Sequence, residues 1–376
     1  MAKGKANEAF QGVDRVVLVG PLPPPAGGMA NQTRQLAELL SEASVSVSLV
    51  QTNAPYRPAW AARLPVVRAA FRLLPYLLRL WRETAGGSVV HVMANSGWAW
   101  HLFATPAIWV ARWRCVPVVV NYRGGEAAQF LENSHRVVRT SMRLVQGLVV
   151  PSAFLQEVFA RFAMQATVVP NIIDIERFRP RGLRLAGVAH LVVARNLEPL
   201  YDNATAIEAF RMVRARLPYA RLTIAGSGPQ ALELTKLVSR LQLDDSIVFA
   251  GRLDRDAMAE LYRSADLVLN PSLADNMPNS VLEALASGVP VVTTNVGGVP
   301  FIVRDHETAM LVPPGDPSAM ARASLRVLDD DALWHRLSSA GVVEVQKYTW
   351  GHVAPLLAGA YRQAMQAAGS LGRNRT

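Results

Sequence analysis

The sequence predicts an α/β protein made of two doubly wound domains, each a parallel sheet covered by helices. Three observations carry that expectation. Short apolar runs alternate with longer amphipathic ones along the chain, the pattern of buried parallel strands and covering helices. A length of 376 residues exceeds one ordinary core and suits two. Two strand-helix series, similar in kind, flank an aperiodic Pro- and Arg-containing stretch at 170–187.

The first series opens with strand Val16–Val19, a Pro/Gly loop from Pro21 to Gly28, and a helix over about 31–40 whose Leu36, Leu39 and Leu40 share a face. Val45–Val50, Val89–Val92, Val116–Val120, Leu148–Val150 and Thr167–Val169 read as its further strands. The second series alternates strands His190–Val193, Arg221–Ala225, Ile247–Phe249, Leu267–Leu269 and Pro290–Thr294 with helices Asn203–Arg216, Pro229–Leu241, Arg255–Ser264 and Pro278–Ala286.

Composition narrows the function classes. A hydrophobic fraction of 51% and a mean hydropathy of +0.16 exclude a disordered chain. The one cysteine, Cys115, cannot close an intramolecular disulfide, and no Cys/His group has zinc spacing. Met1–Phe10 has no apolar signal core, and no run of about 18 apolar residues occurs, so a cytoplasmic protein without a membrane span is expected. The net charge of +10 is uneven: residues 1–180 hold 19 Lys/Arg against 10 Asp/Glu, and residues 181–376 hold 20 against 19. A basic first half points to an anionic partner. No nucleic-acid motif accompanies the charge, so an anionic membrane surface is expected ahead of nucleic acid.

Residues 56–82 sharpen that expectation. Trp60, Leu64, Val67, Phe71, Leu74, Leu77, Leu78 and Trp81 interleave with Arg57, Arg63, Arg68, Arg72, Arg79 and Arg82. Two readings fit: a basic segment lying in a bilayer interface, or a pair of surface helices, broken near Pro65 and Pro75, packing on the first sheet.

In open parallel sheets ligands bind beyond the carboxyl ends of the strands, and four such places carry suitable residues. The first is PSLADNMPNSVLEALASG at Pro271–Gly288. Pro278 suits the first helical position, Gly288 and Pro290 end the helix, and the first-turn amides around Asn279, Ser280 and Val281 form an anion site. Glu283 lies one turn after Asn279; a carboxylate there accepts from ribose hydroxyls rather than holding phosphate. Asp275, at the mouth beside Asn276 and Met277, suits a sugar. The second place is Arg195, a forked cation at a strand end suited to a diphosphate. The third is Gly27–Gly28, where backbone can approach a ligand closely; the pair is not a GxGxxG fingerprint, which disfavours a nicotinamide enzyme. The fourth is NYRGGE at Asn121–Glu126. Arg123 cannot be a general base, because its pKa exceeds about 12; it can steady a leaving diphosphate or bind an anionic sugar or acceptor. Glu126 offers an acceptor-side carboxylate. His91 reads either as a core histidine or as a residue facing the site. Asp244–Asp245 and Asp329–Asp331 read as solvated loops, and no metal is expected.

The 265–298 block resembles the signature of glycosyltransferase family 4, retaining enzymes of the GT-B fold, in which an acidic residue and a later Glu bracket a donor-binding loop. Asp275 and Glu283 stand at those positions, although the first is usually Glu. The likeness extends through Ala284, Gly288, Pro290, Val291 and Gly297–Gly298, and to PNIID at Pro170–Asp174 and Tyr348–Trp350. Gly226–Ser227–Gly228–Pro229 is similar to the loop near the nucleotide base, and Phe249–Ala250–Gly251 to the strand and turn after it. The resemblance implies two facing Rossmann-like domains: a tail at 1–14, an acceptor domain at 15–172 joined by a returning helix at 351–368, a linker at 173–187, a nucleotide-sugar domain at 188–350, and a tail at 369–376. It implies a nucleoside diphosphate sugar as co-substrate, no cofactor and a sugar acceptor; the basic first half and residues 56–82 favour a lipid-linked saccharide as that acceptor, in cell-surface polysaccharide or glycolipid synthesis at the inner membrane face. Family members pair the Arg with a Lys six residues on, where this chain has Tyr201, and commonly have His where Arg123 stands. Those departures keep open a non-catalytic nucleotide-sugar-binding homologue, and a nucleotide-sugar epimerase on the same fold is a nearer alternative. The sequence is silent on base, sugar and oligomeric state.

Overall fold

The computed structural model describes residues 8–24, 27–55, 68–180 and 187–373. They divide into one compact unit of residues up to Ile172 plus those from Trp350 onward, and a second of Ile173–Thr349.

In the first unit, β1 (Arg15–Gly20), β2 (Ser46–Gln51), β3 (Val89–Ala94), β4 (Val118–Tyr122), β5 (Gly147–Val150) and β6 (Thr167–Val168) form a parallel sheet ordered β2-β1-β3-β4-β5-β6. Strand period decides what each face meets. Val17, Val19, Val90, Val118 and Val120 point to one face, under helices α2 (Arg68–Thr84), α3 (Thr105–Trp113), α4 (Ala127–Met142) and α5 (Ala153–Arg161). Val16, Leu18, Val89, Val119 and Val149 point to the other, where α1 (Gly28–Glu42) contributes Leu36 and Leu40. The last helix, α12 (Trp350–Arg373), completes that face with Val353, Leu357 and Tyr361.

One expectation needs correcting here. No helix break occurs at Pro75; α2 runs straight through it to Thr84. The buried Tyr76 and Leu80 that follow the proline anchor the helix on the sheet and outweigh the one backbone bond that Pro75 removes. Arg57, Trp60, Arg63, Leu64, Pro65 and Val67, and the side chain of Arg68, lie outside the described residues.

The second unit holds β7 (His190–Ala194), β8 (Arg221–Ala225), β9 (Ile247–Gly251), β10 (Leu267–Asn270), β11 (Val291–Thr294) and β12 (Met310–Val312), all parallel and ordered β12-β11-β10-β7-β8-β9. The chain winds from β7 outward to β9, then crosses back to place β10 on the other side of β7. The sheet therefore switches direction between β7 and β10, where Leu267, Val268 and Leu269 register with Leu191, Val192 and Val193. A switch point leaves two successive loops parted at the strand ends, and the crevice between them is where such sheets bind ligands. Around the sheet pack α6 (Asn203–Arg216), α7 (Ala231–Arg240), α8 (Arg255–Ser264), α9 (Asn279–Ala286), α10 (Pro317–Asp329) and α11 (Asp331–Val345). Asp329–Asp331 is not the expected loop: α10 ends at Asp329, and Asp330 caps α11 by accepting from the Leu333 amide at 2.9 Å. The expected loop at Asp244–Asp245 is exposed, and Asp245 pairs with Arg214 at 2.7 Å.

Two glycines set how tightly the β7 and β8 loops meet. A Cβ on Gly226 would lie 2.0 Å from the Arg195 carbonyl oxygen, and one on Gly228 would lie 2.3 Å from that of Leu197. Both obstacles are backbone, so neither can yield. Gly226→Ala is expected to cost about 1–3 kcal/mol, seen as a lower urea midpoint. Gly27→Ala, with nothing within 4 Å of its Cβ, should melt like the parent; equal midpoints for both variants would contradict the packing argument.

Candidate active site

The switch point of the second unit assembles Arg195, Tyr201, Asp275 and Glu283. Arg195 leaves β7 directly, and the segment after β10 carries Asp275 opposite it. Arg195 Nη2 donates to Asp275 Oδ2 in an ion pair whose side chains are 10% and 13% exposed, and its Nη1 reaches Ser280 Oγ at 3.3 Å. Its Nε is buried without a hydrogen-bond partner among the described residues. Tyr201, on a single 3₁₀ turn at Pro199–Tyr201, lies under the guanidinium with 4.1 Å from Arg195 Cζ to the ring centroid. The aromatic face attracts the cation and fixes its plane. Burial, ahead of nearby charges, raises the Tyr201 hydroxyl pKa, so it stays neutral. Tyr201 thus adds a flat support where a lysine would add a second cation.

The loop before α9 is tied down by backbone bonds. Leu273 N donates to Leu200 O at 2.9 Å, Gly298 N to Asp275 O at 2.9 Å, and Asn276 N to Asp275 Oδ1 at 2.9 Å. Asn276 and Met277 are buried. The start of α9 differs by one residue from expectation. Pro278 is the N-cap, with φ −65° and ψ 119°, and Asn279 is the first helical residue. The fixed proline φ suits an extended cap as well as a first turn. Its carbonyl accepts from the amides of Val281 at 3.2 Å and Leu282 at 3.3 Å, which withdraws Val281 from the amides expected to meet a ligand. Gly288 ends the helix at φ +67°, a conformation that favours glycine.

Glu283 is half-buried on α9 and accepts from Tyr262 Oη at 3.2 Å. Burial raises its pKa to about 7; the Tyr262 hydrogen bond and the charges of Arg255 and Arg195 oppose that rise. Tyr262, buried on α8, and Arg255 at the start of that helix escape a motif search, because neither lies near Glu283 in sequence. Gly251, with φ +65°, closes β9, and its carbonyl accepts from the Gly226 amide at 2.8 Å. The visible work of Gly226, Gly228 and Gly251 is therefore to let the β7, β8 and β9 ends approach one another.

In the first unit, Gly27 caps α1 in an extended conformation, and neither Gly27 nor Gly28 is crowded by atoms of the described residues. Glu126 stands at the N-cap position of α4, exposed and making no cap bond. Arg123 turns toward three neutral oxygens: its Nε donates to Asn121 Oδ1 at 3.0 Å, and its Nη1 donates to Gln32 Oε1 and Asn171 Oδ1. Since Arg123 only donates, Asn121 must offer it oxygen, which aims the Asn121 amide nitrogen at His91 Nε2, 3.1 Å away. His91 Nε2 is then the acceptor, and Nδ1 carries the proton toward Tyr361 Oη at 2.8 Å. His91 is a core histidine, held neutral by burial and by the Arg123 charge, which lower its pKa to about 3.

The model of Glycosyltransferase Family 4 matches residues 26–177, and that of Glycosyl transferases group 1 matches residues 190–330. A D-inositol 3-phosphate glycosyltransferase of Streptomyces bingchenggensis is 32% identical over 219 residues, covering 54% of this chain; the chain spans about half of that relative's length, 48%. A glycogen synthase of Mycobacterium tuberculosis is 30% identical over 327 residues, 81% of this chain and 76% of the relative. Among solved structures, sucrose-phosphate synthase of Thermosynechococcus elongatus superposes with a TM-score of 0.72 at 23% identity, over 94% of this chain and all of that one (100%). Anabaena HepE in complex with UDP and glucose does so with a TM-score of 0.70 at 17% identity, over 95% and 99%. At these identities the structures speak for the fold alone, which is GT-B.

The Glu283 shift generates a stability prediction. Its folded carboxyl titrates near 7, against an ordinary 4.5, so the folded chain holds the proton more tightly than the unfolded one. That contribution is full below about pH 4.5, falls as pH rises toward 7, and is gone above. The unfolding free energy of the wild type, from urea titrations, should therefore drop relative to Glu283→Gln across that window, by the order of 1–3 kcal/mol; parallel pH profiles would contradict it.

Proposed function

The chain belongs to glycosyltransferase family 4, and from that premise we propose that it transfers a hexosyl group from a nucleoside diphosphate sugar to an acceptor hydroxyl with retention of configuration. The observation that carries the reading is Arg195, aromatic-backed by Tyr201, with a buried, unpartnered Nε beside the start of α9. In the proposed complex the diphosphate takes Arg195 from Asp275. The freed Asp275 carboxylate then accepts from hydroxyls of the sugar, and Glu283 accepts from the ribose. The Asn279 and Ser280 end of α9 favours the phosphate charge through the helix dipole. In the first unit, Arg123 and Glu126 serve the acceptor, and Gly27 and Gly28 leave room for a ligand to approach the backbone.

Catalysis in this reading comes from stabilising charge on the departing diphosphate and from positioning the acceptor. Removing one such charge-stabilising group typically costs about 10²–10³ in kcat. Glu283→Ala should lose donor binding and transfer while remaining folded. Arg195→Ala should weaken nucleoside diphosphate binding by calorimetry; unaltered binding in both variants would sink the assignment. Acceptor-dependent turnover also separates the transferase from an epimerase, which acts on its donor alone, and from a non-catalytic binder.

The acceptor we infer is a lipid-linked saccharide at an anionic membrane surface, in polysaccharide or glycolipid synthesis on the cytoplasmic side. Support comes from α2 and α3, which pack side by side. Leu74, Leu78 and Trp81 of α2 and Trp109 and Trp113 of α3 are exposed. Arg79 and Arg82 are exposed beside them, and the Arg114 guanidinium lies 4.8 Å from the Trp81 ring centroid. Interfacial tryptophan with arginine suits a headgroup layer. No described helix is long and apolar enough to cross a bilayer. The chain should sediment with anionic vesicles, release in high salt, and bind several-fold less when Trp81 and Trp113 are both changed to Ser. Indifference to lipid charge would remove the membrane from the proposal.

A further inference from the structure

Arg123 is a cation without a counter-charge. Its three acceptors are all neutral amide oxygens, and no ion pair reaches it among the described residues. Of its five N–H donors, those on Nε and Nη1 are committed, and Nη2 makes no hydrogen bond among the described residues. Taking a guanidinium out of water costs several kcal/mol unless an anion compensates it. The described residues supply none, because Gln32, Asn121 and Asn171 are neutral and His91 behind them is uncharged.

Arg123 lines a narrow, partly enclosed pocket in the first unit. Gln32 and Gln35 of α1 form one side, Asn121 lies beside Arg123, and Met93 and Leu357 supply apolar wall. Gln35 is half-buried, and its side-chain amide makes no hydrogen bond among the described residues. Two sets of donors therefore remain at one apolar-walled opening, one charged and one neutral. Apolar walls strengthen the attraction for an anion by excluding water.

We propose that this pocket binds the carboxylate of a sugar acid, which supplies the charge that Arg123 lacks. Charge count selects the carboxylate over a phosphate monoester. Among the described residues Arg123 is the only cation lining the pocket, so one negative charge is neutralised, while a phosphate near −2 leaves an excess buried charge. The planar carboxylate also accepts from an arginine edge and an amide together. The role of that sugar as a substrate rests on the transferase reading; the binding itself needs no nucleotide.

Calorimetry of the full chain with free glucuronate, glucose and inorganic phosphate tests the site. Glucuronate is expected to bind at least tenfold more tightly than glucose, Arg123→Gln to erase that difference, and Gln35→Leu to reduce it several-fold. Glucuronate and glucose binding alike, a preference that survives Arg123→Gln, or phosphate binding more tightly than glucuronate overturns the proposal. If Arg123→Gln fails to fold, as its melting would show, the wild-type preference and the Gln35→Leu variant decide. A chain that binds glucuronate through Arg123 but ignores nucleoside diphosphates would refute the transferase reading alone.

Discussion

The ion pair between Arg195 and Asp275 organises the second unit's site. It spans the switch point, joining the loop after β7 to the loop after β10. With both groups largely out of water, the attraction is strong, yet each charge has lost hydration that only good geometry repays. The geometry is supplied from several directions: Tyr201 under the guanidinium, Ser280 at one nitrogen, and the Asn276 amide on the carboxylate. The pair keeps both charges largely shielded from solvent.

This arrangement explains why glycine is demanded some distance away. Arg195 and Leu197 present their carbonyls to Gly226 and Gly228 at distances no side chain could share. The main chain bearing the guanidinium is thereby pressed against the next loop, and Leu197 N and O bond to Ser227 O and Gln230 N at 3.1 and 3.0 Å. A rigid loop holds its arginine at a fixed place, which an anion site needs more than raw charge. Glu283 obeys the same logic: Tyr262 orients its carboxyl group while burial raises its pKa to about 7.

Much of this was legible in the sequence. Buried strands such as Val16–Val19 and Leu267–Leu269 declare themselves through short apolar runs, and their alternation with amphipathic helices implies parallel sheets. Asp275, Glu283 and Arg195 could be marked because strand ends and helix starts are local features. What escaped depends on contacts between distant residues. Nothing near Tyr201 says that it stacks on Arg195, and nothing near Arg123 says that Asn171 and Gln32 receive its donors. Pro75 misled for the opposite reason: a local rule for helix breaking was overridden by tertiary packing of Tyr76 and Leu80. The one-residue offset at Pro278 has a similar origin, since proline φ serves a cap or a first turn alike.

The placement of α12 bears on how the chain is made. The first unit's sheet buries Val16, Leu18 and Val119 against Val353, Leu357 and Tyr361, residues translated only after the whole of Ile173–Thr349. Domains tend to fold as they leave the ribosome, but here the earlier-synthesised sheet must wait with one apolar flank covered by α1 and not yet by α12. The later unit, contiguous in the message, can finish first. Nascent chains of this protein should thus offer chaperones their amino-terminal half for most of translation.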